Sequence, residues 1–231
     1  MEPVHTRASW INLVIPSDNR PTKSRIVKGE FMEPKTYSSD DELPEQPEIK
    51  LMDLSERLSF KARFVLVFGE INHSVARTTC ERLIALAHES EAPITLLVSS
   101  PGGHVESGDA IHDVIRFVRA PVTTVGTGWV ASAGTHIFLA PPKNRRVCLP
   151  NTRFMIHQPG GGAAGQATDV AIQAKEILRT HERIAREISA QTGQTLEKVM
   201  ADMERDFWMS ADEAIEYGIV SRIIEKYEDV L

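Results

Sequence analysis

Ser132 is the one serine in the run TGWVASAGTHIFLAPP, residues 127–142. Its neighbours Ala131, Ala133 and Gly134 are small, so a substrate backbone can come close. The glycines Gly126 and Gly128 precede it, and the pattern after them predicts a buried helix. A helix start offers unpaired backbone N–H groups and the positive end of the helix dipole. Those are the surroundings a serine nucleophile needs when its attack creates an oxyanion. The same serine also reads as a small residue packed in a tight helix, and the local run does not separate the two.

A serine hydroxyl needs a base, and a base needs an acid to orient it. Two histidines compete for the first role. His136 is four residues after Ser132, one helical turn on and on the same face. His157, in RFMIHQPGGG, ends an apolar strand just before a glycine-rich loop. A strand end holds a base rigidly at the edge of a cleft, whereas His136 runs into IFLAPP and reads as packing. For the acid the candidates are Asp206 in MERDFWMSA, Asp202 one turn earlier, and Asp169. Asp206 is followed by Phe207 and Trp208, bulky enough to shield a carboxylate from water. A second oxyanion donor is offered by SSPGG, residues 99–103, where Pro101 fixes one φ angle and Gly102 and Gly103 leave backbone N–H groups unobstructed. Alone, that motif is a simple turn.

These residues require elements to position them. RFVLVFG, APITLLVSS and PVTTVGTG read as buried strands, and RRVCLP and TRFMIHQP as two more. Between them, SVARTTCERLIALAHES places Leu83, Ile84 and Ala87 on one helical face, and ESGDAIHDVIRFVRA is a second amphipathic helix. WVASAGTHIFLA reads as a buried helix. A long helix follows over 168–191, stopped near Gly193, then a shorter one in TLEKVMADMERD. SADEAIEYGIV has a serine cap with glutamate three residues on, and a stop at Gly218. SRIIEKY closes the sheet. Strands alternating with helices imply an α/β domain with a largely parallel sheet.

Residues 1–60 differ in texture. SWINLVIPS predicts one strand, SSDDELPEQPE an acidic, flexible linker, and LMDLSERLSF a short helix, so we read an N-terminal arm over 1–60 and a domain over 61–231. The whole chain has 231 residues, 42% of them hydrophobic, and a net charge of −6. That charge argues against nucleic-acid binding through a general positive field. Two distant cysteines, Cys80 and Cys148, imply neither a disulfide framework nor a zinc cluster. No apolar run reaches the length of a membrane span and no signal peptide is apparent, so the expected location is cytoplasmic and no membrane is expected.

Together SSPGG, GWVASAG, CLPNTRFMIHQPGGGAAGQATD and ERDFWMSADEAIEYGIV resemble the ClpP family, the caseinolytic peptidases of the ATP-dependent Clp system, from about residue 64 to about 225. The resemblance implies a crotonase-like α/β fold of repeated β-β-α units with a long protruding handle helix, here 168–191. It implies a Ser-His-Asp endopeptidase with Ser132 as nucleophile, His157 as base and Asp206 as acid, the roles being set by geometry rather than chain order. The oxyanion donors fall on the N–H groups of Gly103 and Ala133. Gly102 and the segment 159–165, including Gly160, Gly161 and Gly162, fall where substrate lies. It further implies heptameric rings stacked as a tetradecamer, polypeptide substrates, and an AAA+ unfoldase such as ClpX or ClpA. No metal or organic cofactor is expected, and ATP belongs to the unfoldase, since the chain has no G-x-x-x-x-G-K-[ST] run. Ala133 stands where the family usually has methionine, and Thr135 and His136 where it has small or apolar residues. Residues 1–60 do not clearly match the family's segment that lines the axial pore; SWINLVIPS is the candidate for that pore-lining strand, and the acidic stretch 38–48 reads as an insertion.

Three other readings compete. A non-catalytic ring subunit paired with an active paralogue normally lacks a triad member, and none is missing here. A crotonase-type acyl-CoA enzyme does not need Ser132, His157 and Asp206 together. A Ser-Lys peptidase requires a catalytic lysine in place of the histidine and acid.

Overall fold

The computed structural model of the chain describes residues 54–162 and 164–230. The strand expected in SWINLVIPS and the acidic stretch 38–48 lie outside the described residues.

The apolar runs form a seven-stranded sheet. Its main path is parallel: β1 (Phe64–Phe68), β2 (Ile94–Ser100), β3 (Val122–Ala131), β4 (Arg146–Cys148) and β7 (Arg222–Ile223), in the order β1-β2-β3-β4-β7. SRIIEKY therefore supplies the last edge. Two strands leave this path. β5 (Arg153–Ile156) runs parallel to the end of β3, and β6 (Phe207–Met209) pairs antiparallel with β5.

β3 serves two partners in succession. Thr124–Gly126 pair with β4, and Trp129–Ala131 pair with β5. This corrects the sequence reading of WVASAGTHIFLA as one helix. Trp129–Ala131 are strand, and the helix α4 is only Ala133–Phe138. The β-branched and aromatic residues of VGTGWVA fit a half-buried pleat, and pairing with β5 outweighs the apolar run that read as helical. Ser132 is thus the hinge between a strand and a helix.

The crossover helices are α2 (His73–Glu89) and α3 (Val105–Phe117), which pack together over one face of the sheet with α4. On α2 the buried residues are Ala76, Thr79, Leu83 and Leu86; Ile84, expected on the inner face, is 48% exposed. The apolar stripe is rotated back towards the preceding residues, by somewhat less than one position, from where the sequence reading put it. Leu83, Leu86, Leu96, Val98, Ile111, Val130, Ile137, Phe138 and Phe154 are fully enclosed in the main core. Each such side chain is worth about 1.5–3 kcal/mol of transfer free energy.

The long helix α5 (Ala167–Thr192) is buried only at Ala185 and Ile188, so its first four turns stand clear of the sheet. Its far end is fastened by Arg146. That side chain is fully buried, donates from Nη2 to the Gln191 carbonyl at 2.9 Å, and meets the negative end of the helix dipole. Burial lowers its pKa to about 10. Then come α6 (Leu196–Asp202) and α7 (Ala211–Tyr217). α7 has the expected capping box of Ser210 and Glu213, and Gly218 ends it in the left-handed region. The short helix expected in LMDLSERLSF is α1 (Leu54–Lys61), whose Phe60 packs against the core.

Candidate active site

Ser132 has φ 56° and ψ −120°, a conformation that L-residues rarely adopt. Two bonds over-determine it. Its N–H donates to the Met155 carbonyl on β5 at 2.9 Å, and its carbonyl accepts from His136 N–H at 3.1 Å in the first turn of α4. Thr135 reinforces the turn from below, its Oγ1 lying 2.8 Å from both the Val130 and the Met155 carbonyl. Strand and helix together therefore hold the hydroxyl outward on a strained turn.

His157 follows β5 directly. Its Nε2 lies 2.8 Å from Ser132 Oγ and its Nδ1 3.0 Å from Asp206 Oδ1. A carboxylate only accepts, so Nδ1 carries the proton and Nε2 accepts from the serine hydroxyl. Asp206 stands one residue before β6. Next to His157, Gln158 donates its N–H to the Met203 carbonyl at 2.7 Å and its amide to the Glu204 carbonyl at 2.9 Å. The chain beside His157 and the segment that bears Asp206 are thereby fastened to each other twice. Asp206 is not shielded as its neighbours Phe207 and Trp208 suggested. Its side chain is 63% exposed, because Trp208 turns away to stack on Trp129 at 6.4 Å and on Arg153.

The competing residues are engaged elsewhere. His136 Nε2 lies 2.9 Å from Asp109 Oδ1, and its ring stacks on His112 at 4.4 Å. Asp202 accepts from Lys198 at 2.7 Å and from the Tyr217 hydroxyl at 2.8 Å. Asp169 lies in the first turn of α5, beside Gly165.

Two glycines bring a further backbone segment to Ser132. A Cβ on Gly102 would lie 2.6 Å from Ser132 Cβ, and one on Gly103 2.2 Å from the Ile71 carbonyl oxygen. Only glycine permits this approach, and both φ angles are positive, +100° and +142°. Their N–H groups differ in use. That of Gly102 donates to Ser100 Oγ at 3.1 Å. Those of Gly103 and of Ala133, the first residue of α4, donate to no acceptor among the described residues.

Two depressions meet at this point. One is a cleft lined by Val105, Ser132, His136, Ile156, His157 and Ile188. The other is a groove along Gly103, His104 and Gly160–Gly162 on one side and Ile172, Glu176 and Ile177 of α5 on the other. A wider cavity, about 480 Å³, lies elsewhere, between the ends of α3 and α4 at Arg119, Pro141 and Arg145, and no nucleophile lines it. Among the described residues no cluster of three or more His, Cys, Asp or Glu is arranged to hold a metal, and no helix is long and apolar enough to cross a membrane.

The sequence reading missed β6, because three residues give no measurable alternation, and it missed the Asp109 contact to His136, whose partners are far apart in the chain.

Residues 46–227 match the Clp protease family. The chain belongs to the Clp protease family. It is 49% identical over 193 residues, 84% of this chain and 100% of the other, to the ATP-dependent Clp protease proteolytic subunit 3 of Rhizobium johnstonii. It is 54% identical to the proteolytic subunit 2 of Gluconobacter oxydans, over 83% of this chain and 85% of that one. Among solved structures, ClpP1 from Listeria monocytogenes superposes with a TM-score of 0.70 at 47% identity, over 78% of this chain and all of that one. A Clp protease cleaves peptide bonds, so the chain is a ClpP-type peptidase, on the α/β fold that the resemblance implied.

Proposed function

We propose that the chain is a serine endopeptidase in which Ser132 is the nucleophile, His157 the base and Asp206 the orienting acid. The observation that carries this is the continuous pair of contacts, 2.8 Å from Ser132 Oγ to His157 Nε2 and 3.0 Å from His157 Nδ1 to Asp206 Oδ1. His157 takes the hydroxyl proton as Ser132 Oγ bonds to the carbonyl carbon of the scissile peptide. The oxyanion that forms is met by the N–H groups of Gly103 and Ala133. One such donor is typically worth about 10²–10³ in kcat. The C–N bond then breaks, and the proton on His157 goes to the leaving amine. Water, deprotonated by the same histidine, attacks the acyl-enzyme and frees Ser132. The groove beside Gly160–Gly162 takes the extended polypeptide, and no metal takes part in any step.

The same reading makes the protein an ATP-dependent proteolytic subunit, with α5 as the handle that joins two heptameric rings into a tetradecamer. Val170, Ile172 and Leu178, all exposed on α5, are apolar surface suited to such a junction. An AAA+ unfoldase such as ClpX or ClpA would deliver the polypeptide and use the ATP.

The test is intact mass after treatment with a fluorophosphonate. A single adduct that disappears in Ser132→Ala is expected. A wild-type protein that gains no adduct, alone or with an active ring partner, overturns the reading.

A further inference from the structure

The cavity of about 480 Å³ between the ends of α3 and α4 lies away from Ser132 and takes no part in the chemistry proposed there. Its charged lining is all guanidinium: Arg116, Arg119 and Arg145. No aspartate or glutamate among the described residues lines it. Ile115, Val118, Pro121, Ala140 and Pro141 supply apolar walls, and Gln191 comes from the last turn of α5. The chain as a whole carries a net charge of −6, so this is a local concentration of positive charge and not part of a general positive field.

The arginines are not taken up by carboxylates. Arg145 Nη1 donates to the neutral hydroxyl of Thr123 at 3.2 Å. Arg119 is exposed and has no hydrogen-bond or ion-pair partner among the described residues. Arg116 meets one carboxylate, its Nη1 lying 3.2 Å from Glu187 Oε1, and its side chain is half exposed. Arg146 stands behind the wall. It follows Arg145 in the chain, is fully buried, and holds by Nη2 the carbonyl of Gln191, which lines the cavity. Its Nε and Nη1 have no partner. Burial is the one influence on its pKa, so no carboxylate among the described residues balances it. A buried charge without a counter-charge is costly.

The balance of charge says what the cavity suits. Arg116, Arg119, Arg145 and Arg146 each bring one positive charge. Glu187 cancels one of them. The C-terminal ends of α3 and α5 each offset about half a charge, and α4, a helix of six residues, adds little. About two positive charges are left without a partner.

We propose that this cavity is a binding site for an organic phosphate monoester, its head among Arg116, Arg119 and Arg145 and its body on Pro121, Ala140 and Pro141. A phosphate monoester carries about −1.5 to −2 charge at pH 7, which matches what is left over. The planar guanidinium fork pairs with phosphate oxygens two at a time. A carboxylate brings a single charge and leaves about one cation unbalanced. The apolar walls favour an ester with an apolar body over inorganic phosphate, by the area they cover. The site uses neither Ser132 nor His157, so it stands or falls apart from the peptidase reading.

The test is titration of the purified protein, in whatever assembly it forms, with phenyl phosphate, inorganic phosphate and benzoate at constant ionic strength, followed by calorimetry. Phenyl phosphate is expected to bind at least tenfold more tightly than benzoate, which lacks the second charge, and more tightly than inorganic phosphate, which lacks the apolar body. That comparison needs no variant to fold. Arg119→Ala removes an exposed side chain and no internal bond, and is expected to weaken phenyl phosphate binding roughly tenfold or more, the loss of a hydrogen bond between charged groups. Arg119→Lys keeps the charge without the fork and recovers part of the loss. Lys143→Ala removes an exposed cation of the neighbouring 3-10 turn that does not line the cavity, and leaves binding within threefold. No saturable binding of phenyl phosphate at millimolar concentration, benzoate bound as tightly, or equal weakening by Lys143→Ala and Arg119→Ala overturns the inference.

Discussion

Replacing Ser132 by alanine and, separately, by glycine separates what the side chain does from what the backbone bears. Both variants lose the hydroxyl, both leave His157 Nε2 without its partner, and both are expected to be inactive. They differ in the turn. At φ 56° and ψ −120° a Cβ is crowded, and a residue held in such a region costs about 1–3 kcal/mol. Alanine retains that cost and glycine removes it. Against this, glycine loses more conformational freedom on folding, about 0.5–1 kcal/mol. The net expectation is that Ser132→Gly is more stable than Ser132→Ala by about 1 kcal/mol, or about 2–4 °C in Tm for a chain of this size. The assay is thermal or urea unfolding of the two inactive proteins at equal concentration, so that any contribution from assembly is the same for both. Equal midpoints, or a less stable glycine variant, would refute the claim that the strand-to-helix turn stores strain.

Asp206→Asn keeps the shape at His157 Nδ1 but permits the wrong tautomer. A buried acid of this kind is worth about 10⁴ in kcat in the trypsin case, and the open setting of Asp206 reduces the expected loss to about 10²-fold; a loss under threefold would remove Asp206 from the mechanism. Asp109 makes stability depend on acid. Burial pushes its carboxyl up, but His136 and Arg183 outweigh burial and hold it at about 2, below its ordinary 3.8. Its contribution is therefore full above the unfolded value and is lost as pH falls from about 4 towards 2. Urea midpoints of Asp109→Asn should be less sensitive to pH across that window than those of the unaltered protein, and parallel curves would show that the carboxylate contributes nothing.

What the residues disclosed in advance followed from how local the signals are. The α7 cap was legible because Ser210, Glu213 and Gly218 carry it within one short run. The strands in RFVLVFG, APITLLVSS and PVTTVGTG, and the shorter ones in RRVCLP and TRFMIHQP, were legible for the same reason. β3 was misread at its end, since what makes Trp129–Ala131 a strand is β5, more than twenty residues later in the chain. The shielding expected of Phe207 and Trp208 failed for a similar reason. The position of Trp208 is set by Trp129 and Arg153, which no spacing rule connects to it. Choosing His157 over His136 rested on strand-end logic and on family resemblance; the structure puts His157 Nε2 2.8 Å from Ser132 Oγ and His136 Nε2 2.9 Å from Asp109. The engagement of His136 with Asp109 and His112 had no advance signal, because it joins two separate helices, α4 and α3, far apart in the chain.

The dependence of the site on β6 has a bearing on the chain's own synthesis. Asp206 is placed by a three-residue strand whose pairing in the sheet is to β5, and by the two bonds that Gln158 makes to Met203 and Glu204. A nascent polypeptide that has emerged only as far as α5 already carries Ser132 and His157, but has neither Asp206 nor the strand that holds it. On the proposed roles, such a copy lacks the group that orients His157, and full activity waits on the segment from Met203 to Met209.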